Sequence, residues 1–87
     1  MTTRVAVMSI IVENGDTVRK LNEILHEYGE YIIGRMGIPY KPRKINIISI
    51  AIDAPQDTIS TLAGRIGGLS GVNVKTAFSS VIFDDKN

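Results

Sequence analysis

Arg4 to Val12 (RVAVMSIIV) is a continuous apolar run rich in β-branched residues, which predicts a strand. Glu13-Asn14-Gly15-Asp16 predicts a turn, with Gly15 free to take a positive φ and Asp16 placed to cap a helix. Val18, Leu21, Ile24, Leu25 and Tyr28 then recur on one helical stripe, and Gly29 is its natural stop. Glu30 to Gly37 (EYIIGRMG) reads as a short second strand. Ile38-Pro39-Tyr40-Lys41-Pro42-Arg43 reads as a loop, because its prolines exclude a central strand. Lys44 to Asp53 (KINIISIAID) is the clearest strand of the chain. A capping box then opens the second helix: Asp53 caps, Pro55 suits the first turn and Gln56 closes the box. Ile59, Leu62, Ala63 and Ile66 form its stripe, and Gly67-Gly68 ends it. Val72 to Phe83 is the last strand, followed by Asp84-Asp85-Lys86-Asn87 as a frayed polar tail.

The order β-α-β-β-α-β defines an α+β, ferredoxin-like plan: a four-stranded antiparallel sheet with two helices on one face. The helices cover only that face. The first strand is nevertheless apolar on both sides, with Val5, Val7 and Ile11 pointing one way and Ala6, Met8, Ile10 and Val12 the other. The third strand repeats this, with Ile45, Ile47 and Ala51 opposite Ile48, Ile50 and Ile52. A sheet with one wet face alternates apolar and polar residues, and monomers rarely leave such patches bare. The expected partner is therefore a second copy of the chain, in a dimer or tetramer joined through the open sheet face. The other reading is that two central strands merely tolerate apolar residues outside.

At 87 residues the chain reads as a single domain over 1–87. A domain this small buries only about 60–65% of the surface its unfolded chain exposes. Cysteine is absent, which excludes thiolate nucleophiles, disulfides, iron–sulfur ligation and cysteine-type zinc sites. A net charge of +1 gives no global attraction to nucleic acid or to a membrane surface. The apolar runs are strand-length and no apolar leader core precedes Arg4, so no membrane association and a cytoplasmic location are expected.

Candidate chemistry is sparse. His26, the single histidine, lies between Leu25 and Glu27 on a charged helical face, with no signalled serine and acid to make a triad. Glu23 and His26 have a Glu-x-x-His spacing, but one copy in a mixed chain is not a di-iron bundle. Glu23, His26, Glu27 and Glu30 read better as a solvated face than as a metal site. Gly64, Gly67, Gly68 and Gly71 end a helix, whereas phosphate-cradling glycines precede one. Neither the first nor the third strand carries an aromatic residue, against base stacking of RNA on the sheet. No catalytic residue, metal or cofactor is expected, and the chain does not read as an enzyme. One segment stands out: from Gly34 to Lys44 it carries Arg35, Lys41, Arg43 and Lys44, with no acid and with Tyr40 between two prolines. A rigid basic loop with a tyrosine suits an anionic ligand or an acidic protein partner. An ordinary solvated hairpin is the alternative.

The order of elements and the run Leu62-Ala63-Gly64-Arg65-Ile66-Gly67-Gly68-Leu69-Ser70-Gly71-Val72 resemble ACT-like domains. More specifically, three segments resemble the iron-only hydrogenase system regulators of bacteria. They are Gly34-Arg35-Met36-Gly37-Ile38-Pro39-Tyr40, Ile45-Asn46-Ile47-Ile48-Ser49 and Val74-Lys75-Thr76-Ala77. The resemblance spans nearly the whole chain. It implies a small regulatory protein linked to iron-only hydrogenase maturation, acting with a small-molecule effector and through a protein partner. ACT domains bind small ligands beside the turn after their first strand, which here is Glu13, Asn14, Gly15 and Asp16. A plain strand-to-helix turn reads equally well there. The fold also resembles the C-terminal domain of the nickel-responsive repressor, whose nickel ligands are histidine and cysteine. With His26 alone and no cysteine, that nickel site is not expected here. Only Met1 to Thr3 precede the first strand, so no direct nucleic-acid contact through that repressor's DNA-binding segment is expected.

Overall fold

β1 (Thr2–Val12), β2 (Ile32–Tyr40), β3 (Ile45–Ala54) and β4 (Val72–Asp84) form one sheet in the order β2-β3-β1-β4. All three pairings are antiparallel. This computed structural model describes residues 2–84. α1 (Val18–Glu27) and α2 (Gln56–Gly67) pack on one face, completing the expected α+β ferredoxin-like plan.

Strand parity decides what is buried. Ala6, Met8, Ile10 and Val12 of β1 and Ile48, Ile50, Ile52 and Ala54 of β3 all turn to the helices. Met8 stands opposite Ile50, and Ile10 opposite Ile48. Leu21, Ile24 and Leu25 of α1 and Ile59, Leu62 and Ile66 of α2 close this layer, the stripes read from their helical spacing. No polar side chain is buried in it. Burying side chains of this size stabilises the fold by about 1.5–3 kcal/mol each.

At one end of the sheet the β1–β4 register slips between Arg4 and Ala6. Arg4 fills the irregularity. Its Nη1 donates to Gln56 Oε1 at 2.8 Å, its Nη2 donates to the Ser79 carbonyl at 2.7 Å, and its guanidinium lies 4.8 Å from the Phe78 ring centroid.

Several local expectations are corrected. β2 starts after a 3-10 turn at Gly29–Tyr31 and continues through Pro39 to Tyr40, rather than ending at Gly37. Proline fits because β2 is an edge strand, where a missing N–H breaks no ladder bond. Asp16 does not cap α1. The Asn14 side chain accepts from the Asp16 N–H at 3.0 Å and opens a 3-10 turn over Gly15–Thr17, from which α1 continues. Gly15 therefore has no positive φ; Gly71, at φ 70°, is the glycine that does. The capping box at α2 does not form either. Asp53 and Ala54 belong to β3, Pro55 is the N-cap, and Gln56 is engaged by Arg4 instead. Of the expected polar tail, Asp84 closes β4 and residues 85–87 lie outside the described residues.

Candidate functional site

The two segments singled out by sequence lie at the same end of the sheet. Val12, the last residue of β1, and Pro39, near the end of β2, flank the same β3 residue, Asn46. Beyond them lie the Glu13–Asp16 turn and the β2–β3 hairpin tip. At the tip Lys41–Arg43 form a 3-10 turn closed by Lys44 in the left-handed conformation, φ 54°. Tyr40, Lys41, Arg43 and Lys44 are all exposed there. Among the described residues, none of these cations forms an ion pair.

The Glu13–Asp16 turn is held from within and from the α2–β4 connection. The Asn14 carbonyl accepts from the Thr17 N–H at 3.1 Å and from Thr17 Oγ1 at 2.7 Å. Glu13 donates its N–H to the Gly71 carbonyl at 2.7 Å, and its carboxylate accepts from Asn73 Nδ2 at 2.8 Å. Gly71 packs so close that an added Cβ would stand 2.6 Å from Asn14 Cβ. Gly15 faces open space, with no atom within 4 Å of where its Cβ would be. The turn thus presents Gly15 and Asp16 outward on a fixed backbone, while Glu13 and Asn14 hold it in place.

Arg35 does not join this group. It stands in mid-strand opposite Ile50, on the helix side of β2, and its Nη2 donates to Asn22 Oδ1 of α1 at 2.9 Å. The parity of β2 explains the separation: Met36, Ile38 and Tyr40 share the other face. That alternation is present in the sequence but is masked by the prolines. Sequence reasoning also missed Asn22, an isolated polar residue on a helix, and the bracing role of Gly71.

The face away from the helices carries the residues expected on it. Val7 (41% exposed), Ile11 (42%) and Ile47 (38%) are continued on β2 by Met36 (58%), Ile38 (47%) and Tyr40 (45%). No cluster of metal-ligating side chains exists among the described residues, and Glu23 and His26 are both exposed. The ion pair found there joins Arg65 of α2 to Glu27 of α1, Nη1 to Oε2, at 2.6 Å. The hydrogen bond from Arg65 holds the Glu27 carboxyl below the usual carboxylate range, and the bonds to Glu27 and Tyr28 raise Arg65. No helix among the described residues is long and apolar enough to cross a membrane.

A four-stranded antiparallel sheet in the order β2-β3-β1-β4 with two helices on one face is the ACT-like fold of the ferredoxin-like class. The chain belongs to the TM1266-like family, described as "Iron-only hydrogenase system regulator, putative", which matches residues 4–76. It is 35% identical to the uncharacterized protein TM1266 from Thermotoga maritima, whose structure matches with a TM-score of 0.84 over 87% of this chain and 96% of that one. Two more distant structures share the fold. A PII-like nitrogen regulatory protein, CPII from Thiomonas intermedia K12, is 14% identical, with a TM-score of 0.57 over 97% of this chain and 98% of that one. A formyltetrahydrofolate deformylase from Pseudomonas putida KT2440 is 13% identical, with a TM-score of 0.61 over 84% of this chain and 28% of that one. No curated protein sequence matches the chain.

Proposed function

We propose that the chain is a cytoplasmic, non-enzymatic regulator that assembles with copies of itself through the open sheet face. In this reading a small-molecule effector sits at the subunit interface, against the turn of Glu13, Asn14, Gly15 and Asp16. The observation that carries it is the open face itself, where Val7, Ile11, Met36, Ile38 and Ile47 are exposed on one side of the sheet. A contiguous apolar patch rimmed by polar residues marks an interaction surface. A sheet face that packs against its own copy makes a two-fold contact, with the same patch on both subunits. The family description supplies the regulatory role. An effector seated beside a subunit interface acts by binding one arrangement of the subunits better than another.

Light scattering on the purified chain and on Ile47→Lys tests the assembly. The wild-type chain should elute as a dimer or tetramer and Ile47→Lys as a folded monomer; a monomeric wild type sinks the proposal. A thermal-shift panel of amino acids, nucleotides, S-adenosylmethionine and divalent metals tests the effector, since a ligand of the folded state raises its stability. Gly15→Val should abolish any response. Its side chain enters open space, so the fold should persist and a retained response would exclude the turn as the site.

A second reading has its own observation: Tyr40, Lys41, Arg43 and Lys44 form an exposed basic tip with no ion pair among the described residues. Such a tip suits an acidic patch on a partner protein, with Tyr40 as anchor. The double variant Tyr40→Ala, Arg43→Glu should lose co-purifying partners, and retention of them would exclude it.

A further inference from the structure

We propose that the cleft between α1 and the edge strand β2 binds a small organic anion through its carboxylate or phosphate head, with Arg35 as the anchor. The cleft is a cavity of about 280 Å³ lined by Asn22, Leu25, His26, Gly29, Ile32 and Arg35. It adjoins a larger hollow of about 630 Å³ that shares Asn22 and His26 and adds Val18, Arg19 and Glu23. The smaller cleft alone is near the lower end of the size that holds small-molecule ligands, and the larger hollow is an open stretch of the α1 surface.

Three features give the smaller cavity its chemistry. First, no carboxylate lines it, and Arg35 forms no ion pair among the described residues. Glu27, one helical turn from Glu23, is already engaged by Arg65, and Glu23 lies in the larger hollow. Second, Nη2 donates to Asn22 Oδ1 at 2.9 Å, which draws one edge of the guanidinium toward α1. This leaves Nε and Nη1 without a side-chain or backbone acceptor among the described residues. A planar fork is the group that binds carboxylate or phosphate oxygens in pairs. His26, on the same α1 flank as Asn22, offers a second donor. Third, one wall is stripped of bulk: Gly29 lines the cleft, and nothing lies within 4 Å of where its Cβ would be. The head of the ligand fits the smaller space, and its remaining atoms extend along Val18 in the larger one.

This site does not rest on the effector reading above. It lies on the helix side of the sheet, away from the open face, so assembly leaves it accessible.

The test is calorimetric titration of the full chain with inorganic phosphate and, separately, with succinate, at constant ionic strength made up with chloride. Saturable binding of either anion is expected, and the arm that binds identifies the head group. Arg35→Ala should weaken it about tenfold or more, the loss expected for a charge-assisted pair. Lys75→Ala, which removes one positive charge from an exposed position of β4, should leave it unchanged. If Arg35→Ala does not fold, Arg35→Lys keeps the charge and removes the fork, and should still weaken binding several-fold. Amide shifts of Asn22 and His26 on titration of the wild type locate the anion independently. Failure of both anions to bind, equal losses in Arg35→Ala and Lys75→Ala, or binding untouched by Arg35→Lys would each overturn the proposal.

Discussion

Replacing Gly71 by alanine places a Cβ where the α2–β4 connection touches the turn after β1. At φ 70° an L residue occupies the left-handed region, which costs roughly 1–2 kcal/mol. The new carbon would also stand 2.6 Å from Asn14 Cβ and 3.0 Å from the Asn14 backbone nitrogen. The second of these is backbone and cannot swing aside. The two segments must part, and the Glu13 N–H bond to the Gly71 carbonyl, 2.7 Å long, weakens by about 0.5–1.5 kcal/mol. The expected total is about 2–3 kcal/mol, a large share of the stability of a small domain. For a domain of this size it lowers Tm by about 10–20 °C. Urea unfolding followed by circular dichroism measures it, at one fixed protein concentration because assembly contributes to stability. Gly64→Ala is the matched control: it lies inside α2 with open space around it and should stabilise by about 0.5–1 kcal/mol. A Gly71→Ala protein within about 0.5 kcal/mol of wild type would refute the claim that this contact braces the turn.

Further outcomes follow from the packing and the charges. Leu62→Ala empties a fully buried position between α2 and the sheet and should cost about 2–5 kcal/mol in urea unfolding. Arg4→Ala loses its bonds to Gln56 and Ser79 and its place over the Phe78 ring; about 1–2 kcal/mol of destabilisation is expected in the same assay. The depressed Glu27 carboxyl contributes stability that is complete above the ordinary carboxylate range and is lost as pH falls through its folded value. Arg65→Met should return the Glu27 titration, followed by the carboxyl carbon shift in NMR, to the ordinary range, and an unmoved titration would deny that Arg65 is the cause.

How far the sequence carries depends on the kind of signal. Helical stripes such as Val18-Leu21-Ile24-Leu25 and the doubled apolar parity of β1 and β3 come from periodicity. Periodicity is imposed by the core, so these features and the open face are legible in advance. Cap positions are not, because several side chains compete for the same backbone donors. Asn14 accepts the Asp16 N–H and becomes the cap, which places Asp16 inside the 3-10 turn, and Arg4, from the far end of the sequence, takes Gln56. Pro39 misleads for a related reason: its cost depends on whether the strand is central or at the edge, which is a property of the sheet order. Of the candidate residues, Tyr40, Lys41, Arg43 and Lys44 lie together at the hairpin tip. Arg35 departs from them because parity along β2 acts on every residue, including those read as loop.

The pairing of Thr2 with Asp84 makes those two positions neighbours at one extremity of a molecule 47 Å long. β1 then runs ~33 Å, at about 3.3 Å per residue, to reach the Glu13–Asp16 turn. A dye or carrier attached at either neighbour stands far from the hairpin tip and the turn, and reports on them without touching them. The same closeness allows a short peptide to join the two positions while the chain is opened at Lys41–Arg43, an exposed turn of the kind where such rearrangement succeeds. In that circular permutant the edge strand β2 becomes the last element of the chain, and its hold on the sheet can be measured by shortening it residue by residue.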